Sequence, residues 1–113
     1  MVKAGSLRKR YVLFELRNAE FDGEALKRAI YAEALRFFGE YGLSHVALKL
    51  VHYEKAKKQG ILRCERGHLD GVLGFLALIE ALDGRDARLA ALRSSGTLKG
   101  LGAEFALTRE KQS

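Results

Sequence analysis

The sequence predicts an α+β sandwich, with a four-stranded antiparallel sheet and two helices packed on one of its faces. Three observations carry this. Four short runs alternate apolar and polar residues with the two-residue period of strands. Two longer runs repeat apolar residues every three or four positions, as amphipathic helices do. The runs follow the order strand, helix, strand, strand, helix, strand. That order is the split β-α-β arrangement of ferredoxin-like and RRM-like sandwiches, in which the first and third strands are central.

The first strand is expected over residues 10–17, with Val12, Phe14 and Leu16 on one face and Tyr11, Leu13, Glu15 and Arg17 on the other. Asp22 is placed to cap the helix that follows. That helix is expected over residues 24–41, with Leu26, Ile30, Ala34, Phe37 and Tyr41 forming one apolar stripe and Gly42 ending it. Residues 43–53 read as the second strand. The charged stretch 54–60 reads as a hairpin with a basic tip, and 61–66 as the third strand, with Ile61, Arg63 and Glu65 opposite Leu62, Cys64 and Arg66. A second helix is expected from Gly67 or His68 through Leu82. Its stripe of Val72, Phe75, Leu76 and Ile79 suits the sheet. Its remaining apolar residues, Leu73, Leu78 and Leu82 among them, need a second cover from more of this chain or from a partner. Asp83 to Asp86 reads as a turn and 87–93 as the fourth strand.

A chain of 113 residues suits a single domain over 1–113, with a flexible basic arm at 1–9 and a C-terminal extension at 103–113 in which 103–111 forms a short helix. No run is long and apolar enough for a membrane span or a signal peptide, so no membrane partner is expected. The single cysteine, Cys64, leaves no internal disulfide and suits a reducing, cytoplasmic setting.

Charge is distributed unevenly. The net charge is +6, yet residues 22–41 carry four acids against three bases, and 68–84 carry three acids and no Lys or Arg. The positive excess therefore belongs to strands, loops and termini, as in a protein that meets a polyanion. Residues 93–100, Arg-Ser-Ser-Gly-Thr-Leu-Lys-Gly, concentrate glycines, hydroxyls and cations just after the last strand. Turn N–H groups, hydroxyls and an ammonium suit phosphate, and a plain glycine-rich turn is the alternative. The spacing is not that of a P-loop.

Residues for independent chemistry are missing. His45, His52 and His68 form no spaced metal set with Cys64, so neither a catalytic group nor a protein-bound metal is expected. Cys64 in a strand reads as a small buried residue. An acylphosphatase of this fold would carry a glycine-rich loop after its first strand, where this chain has Asn18-Ala19-Glu20-Phe21. Only Tyr11 is aromatic on the open sheet face, which disfavours a standard single-strand RNA-recognition module. Leu13, Val51 and Ile61 on that face point to partial cover by protein.

Four motifs stand in order: Arg10-Tyr11-Val12-Leu13-Phe14-Glu15, Phe37-Phe38-Gly39, Gly60-Ile61-Leu62-Arg63-Cys64-Glu65-Arg66, and Ser95-Gly96-Thr97-Leu98-Lys99-Gly100. Together, over roughly residues 8–101, the chain resembles the archaeal ribonuclease P protein component 2 family. The resemblance implies a protein subunit of the ribonucleoprotein that removes the 5′ leader from precursor tRNA. It implies catalysis by the ribonuclease P RNA with Mg²⁺ bound through that RNA. It also implies pairing with protein component 3, a TIM-barrel subunit, and self-association in a heterotetramer. RNA contact is expected at Arg8, Lys9, Arg10, Tyr11, Lys49, Arg63, Arg66, Arg93, Ser95, Gly96, Thr97 and Lys99. Tyr11 either stacks on a base or packs internally, and Leu73, Leu78 and Leu82 are candidate partner contacts. The rival readings are an RNA-binding module of another ribonucleoprotein and a small-molecule-binding regulatory domain of the same fold.

Overall fold

The first strand, β1, spans Lys9–Arg17, and its alternation buries Val12, Phe14 and Leu16 completely or nearly so. The structure is a computed structural model that describes residues 8–102. The expected helix at 103–111 and most of the basic arm lie outside these residues. The arm's last residue, Lys9, already belongs to β1 and pairs with Glu65 across the sheet.

Helix α1 covers Gly23–Val46, and the Asp22 side chain caps it by accepting from Ala25 N at 2.8 Å. The helix runs past its expected end. Gly42 does not stop it, whereas Gly39 interrupts it with φ 76°, a conformation that costs a glycine little. The chain then re-enters helix until Ala47, a left-handed residue whose N–H bonds the Leu43 carbonyl. Buried Val46 anchors this added segment in the core. The second strand is correspondingly shorter. Residues 43–46, expected to be extended, are helical: Leu43 and Val46 are three apart, the spacing of one helix face. Of the predicted α1 stripe, Leu26, Ile30 and Ala34 are buried, but Phe37 is 47% and Tyr41 80% exposed.

Strands β2 (Lys49–Glu54) and β3 (Gln59–Glu65) form the expected hairpin. Its Lys58 carbonyl accepts from Leu16 N, tying the tip to β1. A 3₁₀ turn, Arg66–His68, leads into α2, Leu69–Leu78. Val72, Phe75, Leu76 and Ile79 are buried as predicted. The helix stops four residues earlier than expected, because Asp83 and Gly84, both at positive φ, turn a small hairpin between β4 (Ala81–Leu82) and β5 (Arg85–Asp86). Asp-Gly suits the two left-handed positions of such a turn. Strand β6, Arg88–Ser95, closes the sheet.

The sheet order is β2-β3-β1-β6, every pair antiparallel, with β1 and β3 central as the ferredoxin-like arrangement requires. The main core lies between the inner sheet face and the helices, where Val12, Phe14, Leu62 and Cys64 meet Leu26, Ile30, Val72 and Phe75. A second, smaller core lies on the opposite face. There Leu101, 1% exposed, covers Leu13 and Ile61, with Tyr11, Val51 and Leu98 at its rim. The cover expected over this face therefore comes from the chain's own residues after β6.

Candidate nucleic-acid interface

Antiparallel pairing sets residues side by side on one face. Arg63 pairs with both Lys49 and Tyr11, and Tyr11 pairs with Ser95, so Lys49, Arg63, Tyr11 and Ser95 make a row across all four strands. One row toward the hairpin, Ile61, Leu13 and Arg93 stand side by side. The other way, Lys9 faces Glu65. Arg8 and Arg66 lie just past the strand ends, joined by the bond from Arg66 N to the Arg8 carbonyl. The expected RNA-contacting residues therefore gather at one end of the sheet, where β1 and β2 begin and β3 and β6 finish.

Their circumstances differ. Arg8, Lys49, Arg66, Thr97 and Lys99 are exposed. Lys9 is committed to an ion pair with Glu65 at 2.6 Å. That hydrogen bond holds the Glu65 carboxyl below its usual range, with the charges of Lys9, Arg8 and His68 acting in the same sense. Arg10 donates to the Lys9 carbonyl and lays its guanidinium against Gly96. Arg63 lies along the sheet with its Nε buried and without an acceptor among the described residues, and none of their carboxylates pairs with it. A guanidinium left without an anion at a surface row is a ready phosphate ligand. Half-buried Tyr11 packs against the second core beside Leu13 and Ile61 and keeps part of its surface open to solvent.

The glycine-rich stretch does other work than its composition implies. Ser95 Oγ accepts from Thr97 N at 3.2 Å, and Thr97 Oγ1 accepts from Gly100 N at 3.0 Å. Leu101 N and Gly102 N bond the carbonyls of Leu98 and Lys99. Both hydroxyls and these four N–H groups thus close the loop on itself. A Cβ on Gly100 would overlap the Ser95 hydroxyl, so the tight loop requires glycine there. Arg93 Nη1 donates to the Leu101 carbonyl at 2.8 Å, bracing the segment that carries Leu98 and Leu101 onto the sheet. Lys99 is presented outward from this brace.

The candidate partner contacts separate. Leu82, on β4, is fully buried in the main core and is unavailable as a surface contact. Leu73 is half-buried against the core, and Leu78 is 67% exposed. Leu78 shares a groove with Phe37 and Phe75. Phe37, Phe38 and Phe75 pack on one another edge-to-face or tilted, with centroids 4.9 to 5.5 Å apart. This apolar patch lies on the helical layer, away from the basic sheet end. Sequence reasoning missed its aromatic members, since the spacing of Phe37 is that of a core residue. It also missed Ser44, His45 and His68, which the fold brings beside Arg8 and Arg66 in a cleft of about 590 Å³.

Among the described residues no three His, Cys, Asp or Glu side chains cluster to hold a metal. Cys64 is buried, and burial first, then Glu65, pushes its thiol up to about 11, far from an activated nucleophile. No helix among the described residues is long and apolar enough to cross a membrane.

Fold and charge together define a ferredoxin-like α+β domain with a cationic sheet end and an apolar helical face. The Rpp14/Pop5 family model matches residues 10–106, and the chain belongs to that family. It is 32% identical over 99 residues to "Ribonuclease P protein component 2" of Pyrococcus furiosus, an alignment covering 87% of this chain and 82% of the relative. The protein of the same name from Aeropyrum pernix is 33% identical over 98 residues, covering 82% of this chain and 78% of the relative. A chain in the cryo-EM structure of yeast ribonuclease MRP shares the fold with a TM-score of 0.65 at 13% identity, covering 94% of this chain and 93% of that one.

Proposed function

We infer that this chain acts as a protein subunit of ribonuclease P, the endoribonuclease complex named in its relatives. The observation that carries the mechanism is the convergence of Arg8, Lys49, Arg63, Arg66 and Lys99 on one sheet end. Folded RNA brings phosphates close together, and their repulsion opposes the active shape. Fixed cations relieve it and release condensed counterions, so affinity falls steeply with salt. In our reading the described residues supply neither a nucleophile nor a base, the RNA carries the chemistry with Mg²⁺ held by its phosphates, and this subunit lowers the Mg²⁺ needed to hold RNA and precursor tRNA in place.

The apolar patch of Phe37, Phe75 and Leu78 takes the protein partner, for which ribonuclease P protein component 3 is our candidate. A solvent-facing aromatic ring and leucine rimmed by the charged Glu33, Arg36 and Glu80 make the type of surface that anchors an interface. The two faces then bind RNA and protein at once, and a second copy of the complex completes a heterotetramer. The test is precursor-tRNA cleavage at low Mg²⁺ by the ribonuclease P RNA and component 3, with and without this chain. Strong stimulation is expected. No stimulation, where an authentic component 2 stimulates, overturns the assignment. Leu78→Asp is expected to abolish co-elution with component 3 while leaving RNA binding intact.

A further inference from the structure

We propose that Tyr41, in the last part of α1, is a stacking platform for the base of an unpaired nucleotide whose phosphate lies on Arg8 and Arg66. The proposal rests on the RNA-binding reading and adds a base contact to its phosphate contacts. Tyr41 is 80% exposed, the most open of the large exposed apolar side chains among the described residues. Residues four apart share a helix face, so in an unbroken α1 Tyr41 would extend the patch of Phe37. Gly39, at φ 76° and ψ 167°, breaks the helix between them. Phe37 packs on Phe38 and Phe75, whereas the Tyr41 ring lies against the ring of His45, 4.4 Å away between centroids. Tyr41 therefore goes with the segment after the break, whose Ser44 and His45 line a cleft together with Arg8 and Arg66.

The charge beside the ring decides what it meets. Arg8 and Arg66 are exposed and have no carboxylate partner among the described residues. Glu65, the acid that lines the same cleft, is engaged by Lys9 at 2.6 Å. A nucleotide presents an anion and a π face joined by a sugar, and cations next to an open aromatic ring match both parts. In a duplex the base faces stack on one another and only the backbone is offered. The ring therefore selects nucleotides in loops, bulges or ends. The platform is partly set before binding. The Tyr41 carbonyl accepts from the Ser44 hydroxyl at 2.8 Å and lies 2.8 Å from His45 Nδ1, which keeps the imidazole beside the phenol. Ordering the ring on binding then costs less entropy. On the outer sheet face, where RRM-like domains stack bases, Leu101 covers Leu13 and Ile61, and Tyr11 packs beside them. The base contact moves to the end of α1.

The test titrates the full chain into labelled ribonuclease P RNA at about 0.15 M salt. Tyr41→Leu, at an exposed position and with its fold checked by circular dichroism, keeps an apolar side chain and loses the π face. It is expected to bind roughly tenfold more weakly, the size of one stacked base. Its salt slope is expected to match wild type, since no phosphate contact is removed. Tyr41→Phe, which keeps the ring, is expected to stay within about twofold of wild type. Both variants are expected to bind a fully paired RNA duplex as wild type does. Ultraviolet crosslinking read by mass spectrometry is expected to join Tyr41 to a nucleotide that is unpaired in the RNA. Equal affinity of Tyr41→Leu and wild type for the RNA overturns the proposal, as does an equal loss in Tyr41→Leu and Tyr41→Phe, or the same loss on the duplex. Loss of co-elution with component 3 in Tyr41→Leu, with RNA affinity intact, overturns it by assigning the ring to a protein contact. No RNA binding by the wild-type chain overturns the RNA reading as well.

Discussion

Leu101→Ala tests whether the segment after β6 is a structural lid on the sheet. Leu101 is 1% exposed and packs on Leu13, 8%, and Ile61, 0%. Truncating a fully buried leucine costs about 2–5 kcal/mol, part from lost transfer and part from the cavity. The lower end applies here. The segment is short, its main anchor besides Leu101 is the Arg93 bond to the Leu101 carbonyl, and it can open locally without unfolding the sheet. We expect a loss of ~2 kcal/mol in urea unfolding, which shifts the midpoint and leaves the slope nearly unchanged. Arg93→Ala, which removes the brace and keeps the leucine, is expected to cost ~1 kcal/mol. A Leu101→Ala loss below about 0.5 kcal/mol, typical of a surface site, would refute the lid.

Other outcomes follow from the same structure. Asp22→Ala removes the N-cap of α1 and is expected to lower stability by ~1 kcal/mol in the same assay. Glu65 has its folded pKa depressed by Lys9, so its contribution is present above the ordinary carboxylate pKa and is lost as pH falls through the depressed value. Acid titration of stability is therefore expected to be shallower below about pH 4.5 in Glu65→Gln than in wild type. Cys64, buried and pushed up to about 11, is expected to resist alkylation at mildly basic pH until denaturant is added, as read by mass spectrometry.

Periodicity reveals a face only where one element packs against one other. Val12, Phe14 and Leu16, the stripe of α2, the strand order and the Asp22 cap were all legible for that reason. Gly39 and Gly42 are equivalent as helix-ending signals, and the choice between them depends on Val46 reaching the core, a tertiary fact. Phe37 has the spacing of a core residue, but it packs on Phe75 from outside. The glycine-rich stretch was legible as a special loop, but composition does not reveal that the Ser95 and Thr97 hydroxyls turn back to accept from Thr97 N and Gly100 N. The candidate site fared likewise. Its cations were visible as charge, and their convergence on one sheet end needed the register. His45 and His68 meet only through the fold.

The central claim is that RNA docks on the sheet end bearing Arg63 and Lys99. Its most direct test compares two double variants with equal charge loss, in precursor-tRNA cleavage at low Mg²⁺ with RNA and component 3 present. Arg63→Ala with Lys99→Ala removes charge from that end, and Lys55→Ala with Arg88→Ala removes it from the exposed opposite end. The first variant is expected to lose roughly tenfold or more in rate at limiting protein, with a salt slope shallower by about two, and the second to match wild type. Equal losses in both would reduce the effect to net charge, and a loss confined to the second would place the RNA on the other end of the sheet.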